Sequence, residues 1–344
     1  MPELPEVETV KRTLAPAVGG TISSVWTSGM GLHMARRPPL ARLRKLVGSR
    51  ITAVRRHGKY LLLDTDRADS ILVHLGMTGR LRIHGDADPR ATHTHVVLGL
   101  EWRSRSAGAG DAAGGARVLA RGLERRIAGA GGAAGEAGGR VVARGLERRT
   151  AGAGDAAGSG GGARVLARGL ERRELRFIDA RRFGQFDVVT RGKEREHPAL
   201  SVLGPDALDE AIDVGALLAT AKGKRTSLKA FVLDQSVLAG VGNIYASEAL
   251  WRAQLRPTQR TDRLTAPAAV RLAAAIREVL ERALDNGGTT LSDFVDADGA
   301  AGENADYLWV YDRAGQPCMR CKRAIRRSVL QGRATYYCPT CQTP

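Results

Sequence analysis

All four cysteines of this 344-residue chain stand near its C-terminal end, as "CMRC" at 318–321 and "CPTC" at 338–341. The spacing C-x2-C-x16-C-x2-C gathers four thiolates in two close pairs, a set that suits tetrahedral Zn2+, and the stretch between the pairs has the length of a β-hairpin. Cys318, Cys321, Cys338 and Cys341 are therefore expected to hold one zinc ion, against the alternatives of free thiols or disulfides. With every position of the tetrahedron filled by cysteine, the expected site is structural. Its hairpin carries Lys322, Arg323, Arg326, Arg327 and Arg333. The metal would thus hold a basic finger against phosphate, although solvated charge is the plainer reading of most of these side chains.

The opening "MPELPEVETV" sets carboxylates at Glu3, Glu6 and Glu8 beside a proline at position 2. Pro5 fits the first turn of a helix whose positive end Glu6 and Glu8 complement. Leu4, Val7, Val10 and Leu14 line one face at helical spacing. That helix leaves Pro2 and Glu3 without a structural task. In "AGVGNIYASEAL", Gly240 and Gly242 precede Asn243, a favourable N-cap with a helix behind it. A helix N-terminus reached by close-lying backbone is an anion site; tight packing of two helices explains the glycines equally well.

These groups need elements to position them. "RITAVRRHGKYLLLDTD", "SILVHLGMTGRLRIHG", "THTHVVLGLEW" and "ELRFIDARRFGQFDVV" are β-rich runs punctuated by Gly and Asp. Between the last two lie three near-copies of a Gly/Ala/Arg segment at 103–173, each ending in "GLERR". Each copy offers too few apolar residues to offset its ordering entropy, so the block reads as a flexible insert in the turn of a β-hairpin. Beyond "HPALSVLGPDAL" the pattern turns helical: "TSLKAFVLDQ", "NIYASEALWRAQ" and "TAPAAVRLAAAIREVLERALDNGG". In the third, Thr265 is the expected cap, Pro267 fits the first turn and Gly287 the close.

A net charge of +17 and a pI near 10.5 make a polyanion, and first of all nucleic acid, the partner to expect. No apolar run approaches a membrane span, and the acidic start is unlike a secretory leader. A cytoplasmic protein is expected.

The segments "PELPEVET", "GKYLLL", "HLGMTGRL", "DARRFG", "GVGNIYASE" and "GGTTLSDF", followed by the four-cysteine finger, occur in that order. Together they resemble the bacterial formamidopyrimidine-DNA glycosylases, and the likeness spans the chain outside 103–173. The resemblance implies an α+β multidomain protein: an N-terminal helix plus β-sandwich (2–197), a helix–two-turn–helix domain (198–303) and a zinc-finger β-hairpin (304–344). It implies a bifunctional enzyme that excises oxidised purines from double-stranded DNA and then cuts the strand. It gives Pro2, freed by removal of Met1, the task of attacking the sugar C1′ as a secondary amine. α-Amino groups titrate near neutrality, so part of it is unprotonated. Glu3 matches the acid–base carboxylate, and Lys59 the strand lysine near the lesion phosphate. Met77, Arg181 and Phe183 match the triad that fills the gap left by an extruded base. Asn243, Arg333 and His95 match DNA contacts, and Glu6 is expected either to orient the site or only to cap the helix.

Two departures stand out: "VYDRAGQPC" before the finger, and the insert. An endonuclease VIII-type enzyme for oxidised pyrimidines and a catalytically inactive damage-binding protein are the alternatives. A monomer, associated with the nucleoid through DNA, is expected.

Overall fold

The structure is a computed structural model and describes residues 2–33, 36–103, 170–290 and 295–343. Met1, nearly all of the insert and part of "GGTTLSDF" lie outside the described residues.

Helix α1 (Leu4–Thr13) begins where Pro5 allows it, with Glu3 at its N-cap. Its expected apolar face is buried, but it serves two cores. Val7, Val10 and Leu14 pack into the sandwich, whereas Leu4 packs among the C-terminal helices. The chain end is thus held from both sides.

The sandwich consists of two four-stranded sheets. One has the order β1 (Thr21–Thr27), β6 (Thr94–Arg103), β7 (Leu170–Ile178), β5 (Arg80–Gly85). The other runs β2 (Ile51–His57), β3 (Tyr60–Thr65), β4 (Asp69–His74), β8 (Gln185–Thr190). Pairs such as Leu62 opposite Leu72 and Val73 opposite Phe186 fix the register of the second sheet. The two strands flanking the insert are neighbours, as a hairpin requires. One boundary differs from expectation: β7 already begins at Leu170, so the last "LERR" of the third copy is strand, and Arg172 pairs with Glu101 across to β6 at 3.0 Å.

After the short helices α2 (Leu40–Arg44) and α3 (Pro198–Ser201) come α4 (Val214–Lys222), α5 (Leu228–Leu233), α6 (Asn243–Arg252) and α7 (Ala266–Asp285). Helices α5 and α6, with the turns between them, form the helix–two-turn–helix. Thr265 stands at the N-cap of α7 without a side-chain bond, and Gly287 follows the helix at φ 70°. The chain ends in the hairpin β9 (Arg326–Leu330) and β10 (Arg333–Tyr337). Among the described residues no helix is long and apolar enough to cross a membrane.

A buried guanidinium joins sandwich to helices. Arg56 on β2 donates to Glu8 at 2.9 Å, Asp206 at 2.6 Å and Asp209 at 2.8 Å. Asp206 also accepts the Gly58 N–H at 2.6 Å. The tight turn that carries Lys59 is thereby tied to the helical half.

Candidate active site and nucleic-acid interface

Glu3 is 2% exposed, and its carboxylate lies on the N-terminus of α6, where it accepts the N–H groups of Ile244 at 2.9 Å and Tyr245 at 3.3 Å. Unsatisfied amides and the helix dipole there favour a negative charge. The sequence reading put Asn243 at the cap; the cap position belongs to Gly242, and Asn243 is the first helical residue. Gly242 has ordinary extended backbone, so its lack of a side chain matters for space: a Cβ there would overlap the Glu3 carboxyl group. The anion site read from the glycines is real, and an acid from the other end of the chain fills it.

Glu6 stands behind Glu3. It accepts the Glu3 N–H at 2.7 Å, the Thr289 N–H at 2.7 Å and the Tyr245 hydroxyl. Complete burial, and then the nearby charge of Glu3, push its pKa up to about 7. Glu6 closes the capping box of α1, and through the same bond it holds the backbone of Glu3.

Lys59 lies in the β2–β3 turn, directly before β3 and not within it. Its buried ammonium donates to the Val241 carbonyl at 3.1 Å. Burial lowers its pKa, partly offset by the charge of Glu3. Lys59 and Arg333 line one cavity of about 160 Å³ together with Tyr60, His74 and Gln235. His74 is held neutral there, its pKa pushed down to about 4 by burial and then by Lys59.

Sequence reasoning missed Lys229. This lysine on α5 is 1% exposed, and it donates to Ser247 Oγ at 3.0 Å, the Ala334 carbonyl at 2.9 Å and Thr335 Oγ1 at 3.0 Å. Burial lowers its pKa to about 7. Asn243 Nδ2 donates to the same Ala334 carbonyl at 3.0 Å. Both side chains therefore fix the strand that begins at Arg333, which is itself exposed. An interior lysine looks in sequence like any surface cation, so no local signal marked it.

Met77 and Phe183 are exposed at 38% and 45%, and the Arg181 guanidinium lies over the Phe183 ring at 4.8 Å. Two large apolar side chains thus stand in water at adjoining turns. Asp179 holds these turns: its carboxylate accepts Thr78 Oγ1 at 2.6 Å and the Gly184 N–H at 2.7 Å. The expected DNA contact His95 is not at the surface. It is 2% exposed, with one ring nitrogen on Ser28 Oγ and the other on the Asp179 carbonyl, both at 3.0 Å. The exposed imidazole of this pair is His93.

At the finger, all four Sγ atoms lie within 4.8 Å of one another, with Cys321–Cys338 at 3.4 Å and Cys318–Cys341 at 3.9 Å. Thiolates ~2.3 Å from a tetrahedral zinc stand roughly 3.8 Å apart, so the donor set fits one structural Zn2+.

Comparison with known proteins bears on this arrangement. The family model of the formamidopyrimidine-DNA glycosylase N-terminal domain matches residues 1–112, that of its H2TH domain 203–295, and that of the zinc finger found in FPG and IleRS 315–344. The formamidopyrimidine-DNA glycosylase of Methylococcus capsulatus is 38% identical over 343 residues, covering 99% of this chain and all of the relative. That of Cereibacter sphaeroides is 35% identical over 353 residues with the same coverage. The MutM (Fpg) crystal structure from Thermus thermophilus superposes with a TM-score of 0.71 at 35% identity, over 99% of this chain and 98% of that one. Lactococcus lactis Fpg, solved in complex with abasic-site DNA, shares the fold at a TM-score of 0.72 and 24% identity, over 99% of this chain and 100% of that one. Fold and site thus define a DNA glycosylase with AP lyase activity, an enzyme of base excision repair. More particularly, the chain belongs to the formamidopyrimidine-DNA glycosylase family.

Proposed function

We propose that the chain binds double-stranded DNA holding an oxidised purine and that Pro2, freed of Met1, attacks C1′ of the damaged nucleotide. The base leaves, the C1′–O4′ bond then breaks with a proton going to O4′, and the proline nitrogen becomes an iminium whose positive charge needs no added proton. That electron sink acidifies the neighbouring sugar C–H, so β- and then δ-elimination cut the strand. Glu3 moves protons during ring opening and elimination. One observation carries the reading: the residue beside Pro2 is fixed by the Ile244 and Tyr245 amides, and Lys59 is held on the Val241 carbonyl of the turn that leads into the same helix.

Lys59 and Arg333 take the phosphates next to the lesion, with Asn243 supporting the finger strand. Met77 and Phe183 fill the space of the extruded base, and Arg181 pairs with the orphaned cytosine. His95 supports this wedge from behind through Asp179. Zinc, held by Cys318, Cys321, Cys338 and Cys341, stiffens the finger and takes no part in the chemistry. The divisions 2–197, 198–303 and 304–344 are the units that act, on one lesion at a time, in a cytoplasmic monomer that meets the nucleoid through its substrate.

Borohydride trapping tests the reading. A covalent complex should form with DNA carrying 8-oxoguanine opposite cytosine and vanish in Pro2→Gly. No trapped product from zinc-loaded protein would sink the mechanism. Stronger trapping on an oxidised pyrimidine duplex would replace the purine assignment by the endonuclease VIII-type one.

A further inference from the structure

Trp251, in the last turn of α6, is 3% exposed and points away from the catalytic end of that helix into the finger. Its indole N–H lies 3.4 Å from Cys318 Sγ, within hydrogen-bond reach of sulfur. The Arg320 guanidinium lies over the ring at 4.0 Å, and the Trp309 ring packs against it with centroids 5.2 Å apart. Arg320 sits between the two cysteines of the first knuckle. It donates to the Trp251 and Arg252 carbonyls at 2.9 Å each, two of the acceptors a helix C-terminus leaves open. Those two bonds fix the guanidinium in place, so turning the ring would cost the stack against it.

Other donors at the centre are local: Cys318 Sγ also takes backbone N–H groups of Arg320 and Cys321, and Cys341 N–H donates to Cys338 Sγ at 3.4 Å within its own knuckle. Trp251 reaches the metal centre from 67 residues away, across the joint between helix and finger. An N–H aimed at a metal-bound thiolate draws charge from the sulfur and fixes its orientation, so proton and solvent compete less well for it.

We propose that Trp251 is a positioning residue of the zinc centre, its indole N–H donating to the zinc-bound Cys318 thiolate and slowing loss of the metal. The finger is then latched to α6 through the metal site itself, and the helix that caps Glu3 at one end retains zinc at the other.

The test is chelator competition on the full-length holoprotein. Trp251→Phe keeps a ring and removes the donor, and apparent zinc affinity should fall about 10- to 100-fold, the usual effect of losing an outer-shell hydrogen bond. Trp309→Phe alters the stack but keeps the donor, and should retain zinc like the wild type. Unchanged affinity in Trp251→Phe overturns the proposal, and so does an equal loss in both variants. A second measurement needs no variant: in wild-type protein loaded with an NMR-active cadmium isotope, the Trp251 indole proton should show scalar coupling to the metal across the N–H···S bond. An uncoupled indole resonance overturns the proposal even if Trp251→Phe fails to fold.

Discussion

The Glu3 carboxylate accepts the N–H of Ile244 at 2.9 Å, closing a gap of 241 positions along the chain. Termini ordinarily fray. Here the acid next to Pro2, the proposed nucleophile, is the missing cap of a helix in the other half of the protein, so site assembly and domain docking are one event.

Gly242→Ala tests that relationship. The new methyl group overlaps the Glu3 carboxyl group, and backbone strain is not at issue because φ is −126°. Displacing a catalytic acid by about 1 Å costs on the order of 10²-fold in rate. Borohydride trapping should slow by about that factor, while binding of undamaged DNA, measured by filter retention, stays within about threefold of wild type.

Glu6 predicts a pH dependence of stability. Its pKa rises from 4.5 to about 7 on folding, so between those values the folded state keeps a proton that the unfolded state has released. Stability from this group is therefore full below pH 4.5 and is lost as pH rises through about 7. In Glu6→Gln the side chain is neutral at every pH, so this pH dependence disappears. Melting of the variant, compared with wild type at pH 5 and pH 8, should show the wild type losing relative stability on the alkaline side; a pH-independent difference would refute the assignment.

Asp179 joins the two turns that carry the proposed wedge of Met77, Arg181 and Phe183. In Asp179→Asn one of the two acceptor oxygens serving Thr78 and Gly184 becomes a donor, and the turns bearing Met77 and Phe183 loosen against each other. Cleavage of 8-oxoguanine duplex should fall at least about tenfold. The loss should appear in the extrusion of the base, followed with a fluorescent adenine analogue beside the lesion, and trapping on a pre-formed abasic site should be nearly unaffected.

What was legible beforehand was local. Helix α1, helix α7 and the two cysteine knuckles each follow from spacings within a few residues, and each stands where its pattern put it. What escaped was long-range. Asn243 obeys the N-cap preference, yet a carboxylate from the far end of the chain is a stronger partner for the same amides. His93 and His95, two positions apart, would share one face of a strand. His93 instead has φ 65° ahead of β6, so the alternation breaks and only His95 turns inward. Lys229 acts through partners 18 to 106 positions away, and Asp179, although it opens "DARRFG" and bonds Gly184 within it, reaches Thr78 across 101 positions, a link no local pattern encodes.

The boundary of the insert yields the last prediction. Strands β6 and β7 are neighbours in the sheet, and β7 includes Leu170 to Arg173, the end of the third repeat copy. Arg173 pairs with Gly85 on β5, and Arg172 bridges to Glu101. Removing 103–173 therefore takes sheet with it, whereas removing 104–169 and closing with Asn-Gly leaves both strands and supplies a turn that favours hairpins. The melting temperature and trapping rate of the shorter deletion should match the full chain to within about twofold in rate. The longer deletion should melt earlier and trap less, since β7 leads directly into Asp179 and the wedge. Equal behaviour of the two deletions would show that the first four residues of β7 do not support the site.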